Sequence, residues 1–586
     1  MSEIKRIPYG VSDFQSIQRE NQYYVDKTMF IPKIERTNFV FLIRPRRFGK
    51  SLLLTMLQYY YDIRYRDKFP EIFHDTWIFE NETKNRGQYL CLYFNFSAVS
   101  KTIDDLEENF NTYCNQVINH FVEIYRDYIP EKSAEIVKSY TKLPDKLNAL
   151  SIQLSTVEQK VYIFIDEYDN FTNTLIADLK TDDYHKITHG TGFYRDFFTQ
   201  LKACTSGVGA CLERLFITGV SPITMDDLTS GFNIGNNISL DIDYNNILGF
   251  TEKDVKNMID YYYNALQINI DKIKCFEILK IWYDDYRFTE NATNTIFNSD
   301  GVIYFIDNLI RTNAFPTYLI DDNLKMDYKK LHYLVIQDQK LNGNFNILNK
   351  IIDNNGITSF VKKSFPIKEI KQAENFNTLL YFLGLLTFSG ETKNDIPYLK
   401  IPNESIRRMI YEYIKKSFET AMGFNIKIDQ FSTLISDMAF KGDFKPAIQF
   451  IANEIKNQTK IRDYTTGENL IKIYYLVYLY FIDYYTPATE EEMNKGFADL
   501  VLKPNTFKFP NMKYAYMIEF KYLKATDSDK EINSILKNAK QQMKKYIMNE
   551  NTKKLMNLEP NGKIILKKIV VIFKTWEMVA CDEGEA

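Results

Sequence analysis

Three consecutive residues carry the clearest chemistry in this sequence: Gly49, Lys50 and Ser51. A glycine lets backbone N–H groups close around a phosphate, a lysine reaches the terminal phosphates, and a serine hydroxyl can hold magnesium. They end the stretch Arg44-Pro-Arg-Arg-Phe-Gly-Lys-Ser51, where Arg44 replaces the first glycine of the usual G-x-x-x-x-G-K-[ST] loop. Arg46 and Arg47 bring positive charge to phosphate or to a neighbouring subunit, and Phe48 leads into the glycine. Alone, Gly-Lys-Ser is as readily a chance tripeptide at a helix start. A second motif, about 115 residues downstream, shifts that balance. The apolar run Val161-Tyr-Ile-Phe-Ile165 ends in Asp166 and Glu167. An aspartate so placed holds magnesium through water, and a glutamate beside it orients the attacking water. A buried strand running into a polar turn explains one motif, but not both in this order. Thr218 ends the next apolar run and either senses a γ-phosphate or caps a strand. Arg46, Arg47, Lys202 and Arg214 stand open as arginine-finger candidates.

A second constellation lies near the other end. Asp499 follows Gly496-Phe-Ala, and Glu519 and Lys521 close Tyr514-Ala-Tyr-Met-Ile-Glu-Phe-Lys521. Two adjacent strands would set Asp499 beside Glu519, and residues two apart on a strand share a face. Paired carboxylates hold a divalent metal and a lysine stabilises the charge of phosphodiester cleavage. A Glu–Lys surface pair needs no function, but a carboxylate inside so apolar a run is costly to bury unpaired. Glu468 offers a third metal ligand, although a helix-capping acid after Gly467 is its simpler reading. Gln542 can contact the scissile phosphate or water. Lys524, Lys537, Lys540, Lys544 and Lys545 form either a phosphate-binding surface or a solvated helix face.

The elements that must position these residues follow from the apolar pattern. Asn38–Ile43, Tyr89–Phe94, Val161–Ile165 and Leu215–Thr218 read as strands, with Ile238–Ile242 a fifth. Ser51–Tyr61 and Ile103–Tyr125 read as helices between them. Such alternation predicts a mostly parallel α/β sheet. From Glu252 the pattern turns helical, with a turn-rich patch around 283–300, and residues 335–455 continue mainly as helices. Beyond 460 an α-β-β-α-β order follows: Glu468–Tyr484, Phe497–Leu502, Tyr514–Lys521, Glu531–Tyr546 and Ile564–Phe573. The expected domains are 1–250 for nucleotide, 251–455 as helical lid and linker, and 456–586 for the second site.

Bulk properties restrict the partners. With 586 residues, three or four domains are expected at roughly 100–200 residues each. A net charge of −3 provides no global positive field for nucleic acid, so any such binding needs a local groove. The six cysteines form no CxxC pair, which argues against structural zinc and for a reducing compartment. No apolar run reaches about 18 residues and no apolar segment follows the first residues, so a cytoplasmic protein without membrane contact is expected.

Several motifs together closely resemble the bacterial AAA-ATPase-like family. They are Ile7-Pro-Tyr-Gly10, Tyr24-Val-Asp-Lys-Thr28, the loop Arg44–Ser51, Phe164-Ile-Asp-Glu-Tyr-Asp169 and Thr218-Gly-Val-Ser-Pro222. In that family the Arg-Pro-Arg-Arg-Phe-Gly-Lys-Ser form is the normal loop, so the resemblance accounts for Arg44. Gly496-Phe-Ala-Asp499, Ile518-Glu-Phe-Lys521 and Ala539-Lys-Gln-Gln542 resemble the PD-(D/E)XK nuclease domain often fused to it. Asn377–Thr387 and Ile401-Pro-Asn403 look like the family's linking region. The resemblance implies an AAA-like P-loop NTPase domain with a helical lid, followed by a small α/β restriction-endonuclease-like domain. It implies ATP and Mg2+, or Mn2+ at the nuclease-like site, and nucleic acid as partner, DNA before RNA; a homo-oligomer is allowed for. The expected activity is ATP hydrolysis controlling metal-dependent phosphodiester cleavage. The alternative is an ATP-dependent switch whose nuclease-like domain only binds.

Overall fold

The computed structural model describes residues 3–99, 105–170, 192–207, 209–223, 225, 232–322, 336–337, 340–341, 343–366, 369–370, 372–422, 427–457, 468–480, 482–493, 496–506, 508–545 and 564–584. The chain divides into two compact units. One comprises 1–330 and 358–406, the other 331–357 and 407–586. Residues 251–330 and 358–406 thus belong to the unit with the phosphate loop, and 407–455 to the unit with the second carboxylate set.

The first unit is built on five strands: β1 (Phe39–Ile43), β2 (Leu90–Asn95), β3 (Val161–Asp166), β4 (Leu212–Gly219) and β5 (Asn236–Asn237). Their order is β2-β3-β4-β1-β5 and every pairing is parallel. All six residues of β3 are buried, as a parallel strand covered on both faces requires. Ile43 lies opposite Gly219 and Ile165 opposite Ile217, so the carboxyl ends of β1, β3 and β4 meet at one edge. The fifth strand differs from expectation. It covers 236–237 rather than 238–242, because the Ser239 hydroxyl takes the Ile43 N–H at 2.7 Å and Asp241 caps a 3-10 turn over Ile242–Tyr244.

Helix α1 (Lys50–Tyr61) leaves β1 through the loop and buries Leu53, Leu54, Leu57 and Tyr61 on one stripe. Further on, α2 (Glu252–Leu266) starts at a capping box of Thr251 and Asp254, α3 (Lys272–Tyr283) at Asp271, and α4 (Ser299–Thr312) at Asn298. The region read as mainly helical also holds an antiparallel hairpin, β6 (Thr387–Lys393) and β7 (Ile396–Lys400). Asn394 and Asp395 turn it with φ of 54° and 62°, the left-handed pair a two-residue hairpin turn demands. The helix expected from Ile103 runs Leu106–Ile124; residues 103 and 104 lie outside the described residues.

In the second unit, α5 (Glu468–Tyr480) is followed by β8 (Tyr485–Met493), β9 (Gly496–Pro504), β10 (Tyr514–Leu523), α6 (Asp529–Lys545), β11 (Ile565–Lys574) and β12 (Glu577–Glu583). The sheet runs in that strand order, with β10–β11 parallel and the remaining pairs antiparallel. The expected order is present, with one further strand at each edge. Val501, Met517, Val570 and Ile572 pack under Ala539 and Met543 of α6. Phe520, on the other face of β10, packs against Tyr475 of α5, ring centres 5.0 Å apart and tilted. Among the described residues no helix is long and apolar enough to cross a membrane.

Candidate functional site

The first site forms where β1 becomes α1. Gly49 adopts φ +93°, a conformation that strains any side chain, and leads directly into Lys50. The Lys50 side chain is buried, and its Nζ donates to the carbonyls of Arg44 at 3.1 Å and Pro45 at 2.9 Å. Burial pushes its pKa down to about 8, with Asp166, Asp169 and Glu167 pulling the other way. The ammonium thus shares one field with the carboxylates that end β3. Ser51 Oγ donates to Asp166 Oδ2 at 2.6 Å, and the Glu167 N–H reaches Asp166 Oδ1 at 2.9 Å. Burial raises the Asp166 pKa, opposed by Ser51 and Lys50. Glu167 sits next to it at φ 50°, half-buried. A hydroxyl and a carboxylate in contact are hard oxygen donors of the kind magnesium takes. Lys50, Ser51, Asp166 and Glu167 therefore come together, although 115 residues separate Ser51 from Asp166.

The rest of the loop divides by exposure. Arg46 and Arg47 are exposed, while Phe48 is buried edge-on against Tyr286 and Phe288, with ring centroids 4.9 and 5.2 Å away. Arg44 turns inward. Its guanidinium, 1% exposed, donates to the carbonyls of Ile43, Ser239 and Tyr244 and lies 4.3 Å from the Phe288 ring centre. Burial lowers its pKa to about 10.

Thr218 is buried beside β1, where its hydroxyl donates to the Leu42 carbonyl at 2.8 Å. Arg214 spends its donors on the carbonyls of Glu35 and Thr37 and on Tyr89. It pairs with Tyr162, and its neighbour Leu215 with Phe39 at the start of β1, so it lies at the end of the sheet away from the loop. Lys202 bonds Asn233. Sequence reasoning gave no role to Asp169. Its carboxylate takes the N–H groups of Val220 and Ser221 and so fixes the turn after β4. Gly219 makes room for it: a Cβ there would lie 2.4 Å from Asp169 Oδ1. The signal was available, since Asp169 follows Glu167 by two residues and a buried acid needs donors.

At the second site, Val501 pairs with Met517, and continuing that register sets Asp499 opposite Glu519. Asp499 Oδ2 accepts the Phe520 N–H at 2.8 Å, which ties it to β10 one residue past Glu519. The Glu519 side chain is buried and its Oε1 takes Lys521 Nζ at 2.8 Å. Asp499, Glu519 and Lys521 thus converge. A further residue joins them: Lys472 of α5, 4% exposed, reaches Asp499 Oδ1 at 3.3 Å. In sequence it is one lysine inside the run Ile471–Tyr480, and its burial was the missed signal. Glu468 begins the same helix one turn earlier; its side chain lies outside the described residues. Gln542 is exposed on α6 beside the buried Met543. Of the lysines read as a phosphate surface, Lys524, Lys537, Lys544 and Lys545 are exposed and Lys540 pairs with Asp582 at 2.8 Å. Among the described residues no three His, Cys, Asp or Glu side chains cluster as a ready metal cage. The buried Glu519 and the half-buried Asp499, each neutralised by a lysine, still form an oxygen donor pair suited to a divalent cation.

Residues 8–229 match the family described as Predicted AAA-ATPase, and residues 466–583 match the PD-(D/E)XK nuclease superfamily. A protein from the vnfD 5′ region of Azotobacter chroococcum mcd 1, itself uncharacterised, is 27% identical over 341 residues. That match spans 54% of this chain and 56% of the relative. Among solved structures, the Aeropyrum pernix ORC2 protein in its ADPNP and ADP complexes covers 68% of this chain and 93% of its own, at 10% identity and TM-score 0.34. Cdc6p from Pyrobaculum aerophilum covers 67% and 92%, at 11% identity and TM-score 0.22.

Proposed function

We propose that this chain, an AAA-ATPase-like domain at residues 8–229 with a PD-(D/E)XK nuclease superfamily domain at 466–583, binds and hydrolyses ATP and uses that cycle to control metal-dependent cleavage of nucleic acid, DNA before RNA. The observation that carries the first half is the contact of Ser51 with Asp166 beside the buried Lys50. Lys50 would leave the carbonyls of Arg44 and Pro45 for the β and γ phosphates, while Glu167 orients the attacking water. Magnesium, when bound through Ser51 and Asp166, would neutralise charge developing on the phosphates. The second half draws on Asp499, Glu519 and Lys521. The carboxylates would hold Mg2+ or Mn2+, and Lys521 would stabilise negative charge on the phosphate being cut. The second reading is a switch whose C-terminal domain binds without cutting. It draws on Lys472, whose ammonium already serves Asp499 as counter-ion.

The test is a cleavage assay on plasmid, linear and single-stranded DNA and on RNA, with Mg2+ or Mn2+, with and without ATP. The parent is expected to turn over ATP and to cut DNA. Lys50→Ala is expected to lose ATP turnover and Glu519→Ala to lose cleavage alone. Undiminished ATP hydrolysis by Lys50→Ala would sink the nucleotide assignment. A parent that cuts no substrate selects the switch.

A further inference from the structure

Arg44 stands where phosphate loops usually have a glycine, and its side chain turns into the fold, onto backbone carbonyls. Burying a guanidinium is costly unless its donors are satisfied. Here Nη1 donates to the carbonyls of Ile43 at 3.0 Å and Ser239 at 2.5 Å, and Nη2 to that of Tyr244 at 3.1 Å. Nε has no hydrogen-bond partner among the described residues, but the group lies over the Phe288 ring. One side chain therefore ties the root of the loop to carbonyls about 200 residues away.

Its neighbours in the loop are tied to the same layer. The Phe48 ring packs edge-on against Tyr286 and Phe288, and its carbonyl accepts the Gly249 N–H at 3.1 Å. The Arg47 carbonyl accepts Ser299 Oγ at 3.3 Å and the Asp300 N–H at 3.4 Å. Pro45 packs so closely on Gly384 that a Cβ there would come within 2.8 Å. Meanwhile Lys50 rests on the carbonyls of Arg44 and Pro45, the two residues at the root of these ties. A phosphate that draws Lys50 away removes the donor from both carbonyls. Those carbonyls must then take water or a new donor, and any shift of the loop that follows works against the layer that grips it.

We propose that Arg44 is a positioning residue that couples the phosphate loop to residues 239–249 and 284–301, so that nucleotide occupancy is transmitted to that layer. This rests on the nucleotide reading above. A loop with glycine at position 44 has no such tie.

The experiment is hydrogen exchange of the full chain, alone and saturated with a non-hydrolysable ATP analogue and Mg2+, with binding of the analogue measured in parallel. In the parent, the analogue is expected to slow exchange several-fold in peptides covering 239–249 and 284–301 as well as 44–51. In Arg44→Gly at saturation, slowing should remain over 44–51 and vanish over 239–244, whose carbonyls the guanidinium holds, while 249 and 284–301, also tied through Phe48 and Arg47, keep part of it. A merely structural arginine would lower the melting temperature and leave the nucleotide-dependent difference in place, which overturns the proposal. So does a parent whose slowing is confined to 44–51. If Arg44→Gly does not fold, Phe288→Leu, which keeps the carbonyl bonds and removes the ring beneath the guanidinium, should weaken the slowing over 239–249. Unchanged slowing in that variant also overturns it. A parent that binds no analogue instead refutes the nucleotide reading itself.

Discussion

Gly249→Ala tests how tightly the phosphate loop is held from behind, and Gly10→Ala provides its control. Both glycines have φ of +74°, so alanine meets the same backbone strain at each, about 1–2 kcal/mol. At Gly10 an added Cβ finds nothing within 4 Å. At Gly249 it would lie 2.4 Å from Ile296 Cγ2, 2.7 Å from the Phe297 carbonyl oxygen and 3.0 Å from Phe48 Cδ1. That oxygen cannot retreat cheaply, because it accepts the Phe250 N–H at 3.1 Å, and Ile296 and Phe297 are fully buried. Overpacking of this kind adds about 1–3 kcal/mol. Gly249→Ala should therefore cost about 2–5 kcal/mol in total, and the difference from Gly10→Ala isolates the clash. Part of that strain can be relieved only by displacing Phe48, the residue before Gly49 and Lys50. Each 1.4 kcal/mol relieved in this way should weaken nucleotide binding by about tenfold. Thermal melting of the two variants and titration with an ATP analogue measure both quantities. A Gly249→Ala protein that melts with Gly10→Ala and binds the analogue as the parent does would refute the reasoning.

Two other perturbations follow from buried charge. Asp284 is 2% exposed, its Oδ1 has no hydrogen-bond partner among the described residues, and burial raises its pKa. A raised carboxyl contributes its stability below the unfolded value near 3.8 and loses it as pH climbs through the folded value. Asp284→Asn should thus melt higher than the parent at pH 7, by about 1 kcal/mol, with the gap closing toward pH 4; a gap independent of pH would contradict this. Lys472→Met removes the buried partner of Asp499 and should cost about 3–5 kcal/mol. Millimolar Mn2+ should then raise the melting temperature of the variant more than that of the parent, because a cation replaces the missing charge. Equal shifts in the two proteins would show that Lys472 does not compete with a cation for Asp499, and no shift in either that the site takes no cation.

What could be read in the sequence was local or periodic. The strands β1 and β3 are buried on both faces, so each is an unbroken apolar run that needs no tertiary information to detect. The edge strands β8 and β12 pair on one side only, and Thr-Glu-Glu-Glu-Met or Ala-Cys-Asp-Glu needs no apolar run, so no element was read there. The hairpin β6–β7 was hidden likewise, since Gly384–Gly390 and the Pro397 and Pro402 stretch read as breaks between helices.

The candidate sites divide on the same physical line. Glu519 was visible because a carboxylate in an apolar strand must have a partner, and Lys521 is on the same face two residues away. Lys472 obeys the same rule, but its partner Asp499 lies on another element, so no short window contains both charges. Arg44 is the extreme case. In sequence it showed only as the residue in place of the loop's first glycine, whereas its acceptors are the carbonyls of Ser239 and Tyr244. A motif tells which residue types a site needs and leaves open whether each charge faces the ligand or the fold. At this loop the exposed Arg46 and Arg47 are free to meet an anion, and the buried Arg44 is committed to the backbone. Burial, which the sequence does not state, therefore decides which arginine can bind and which can only position.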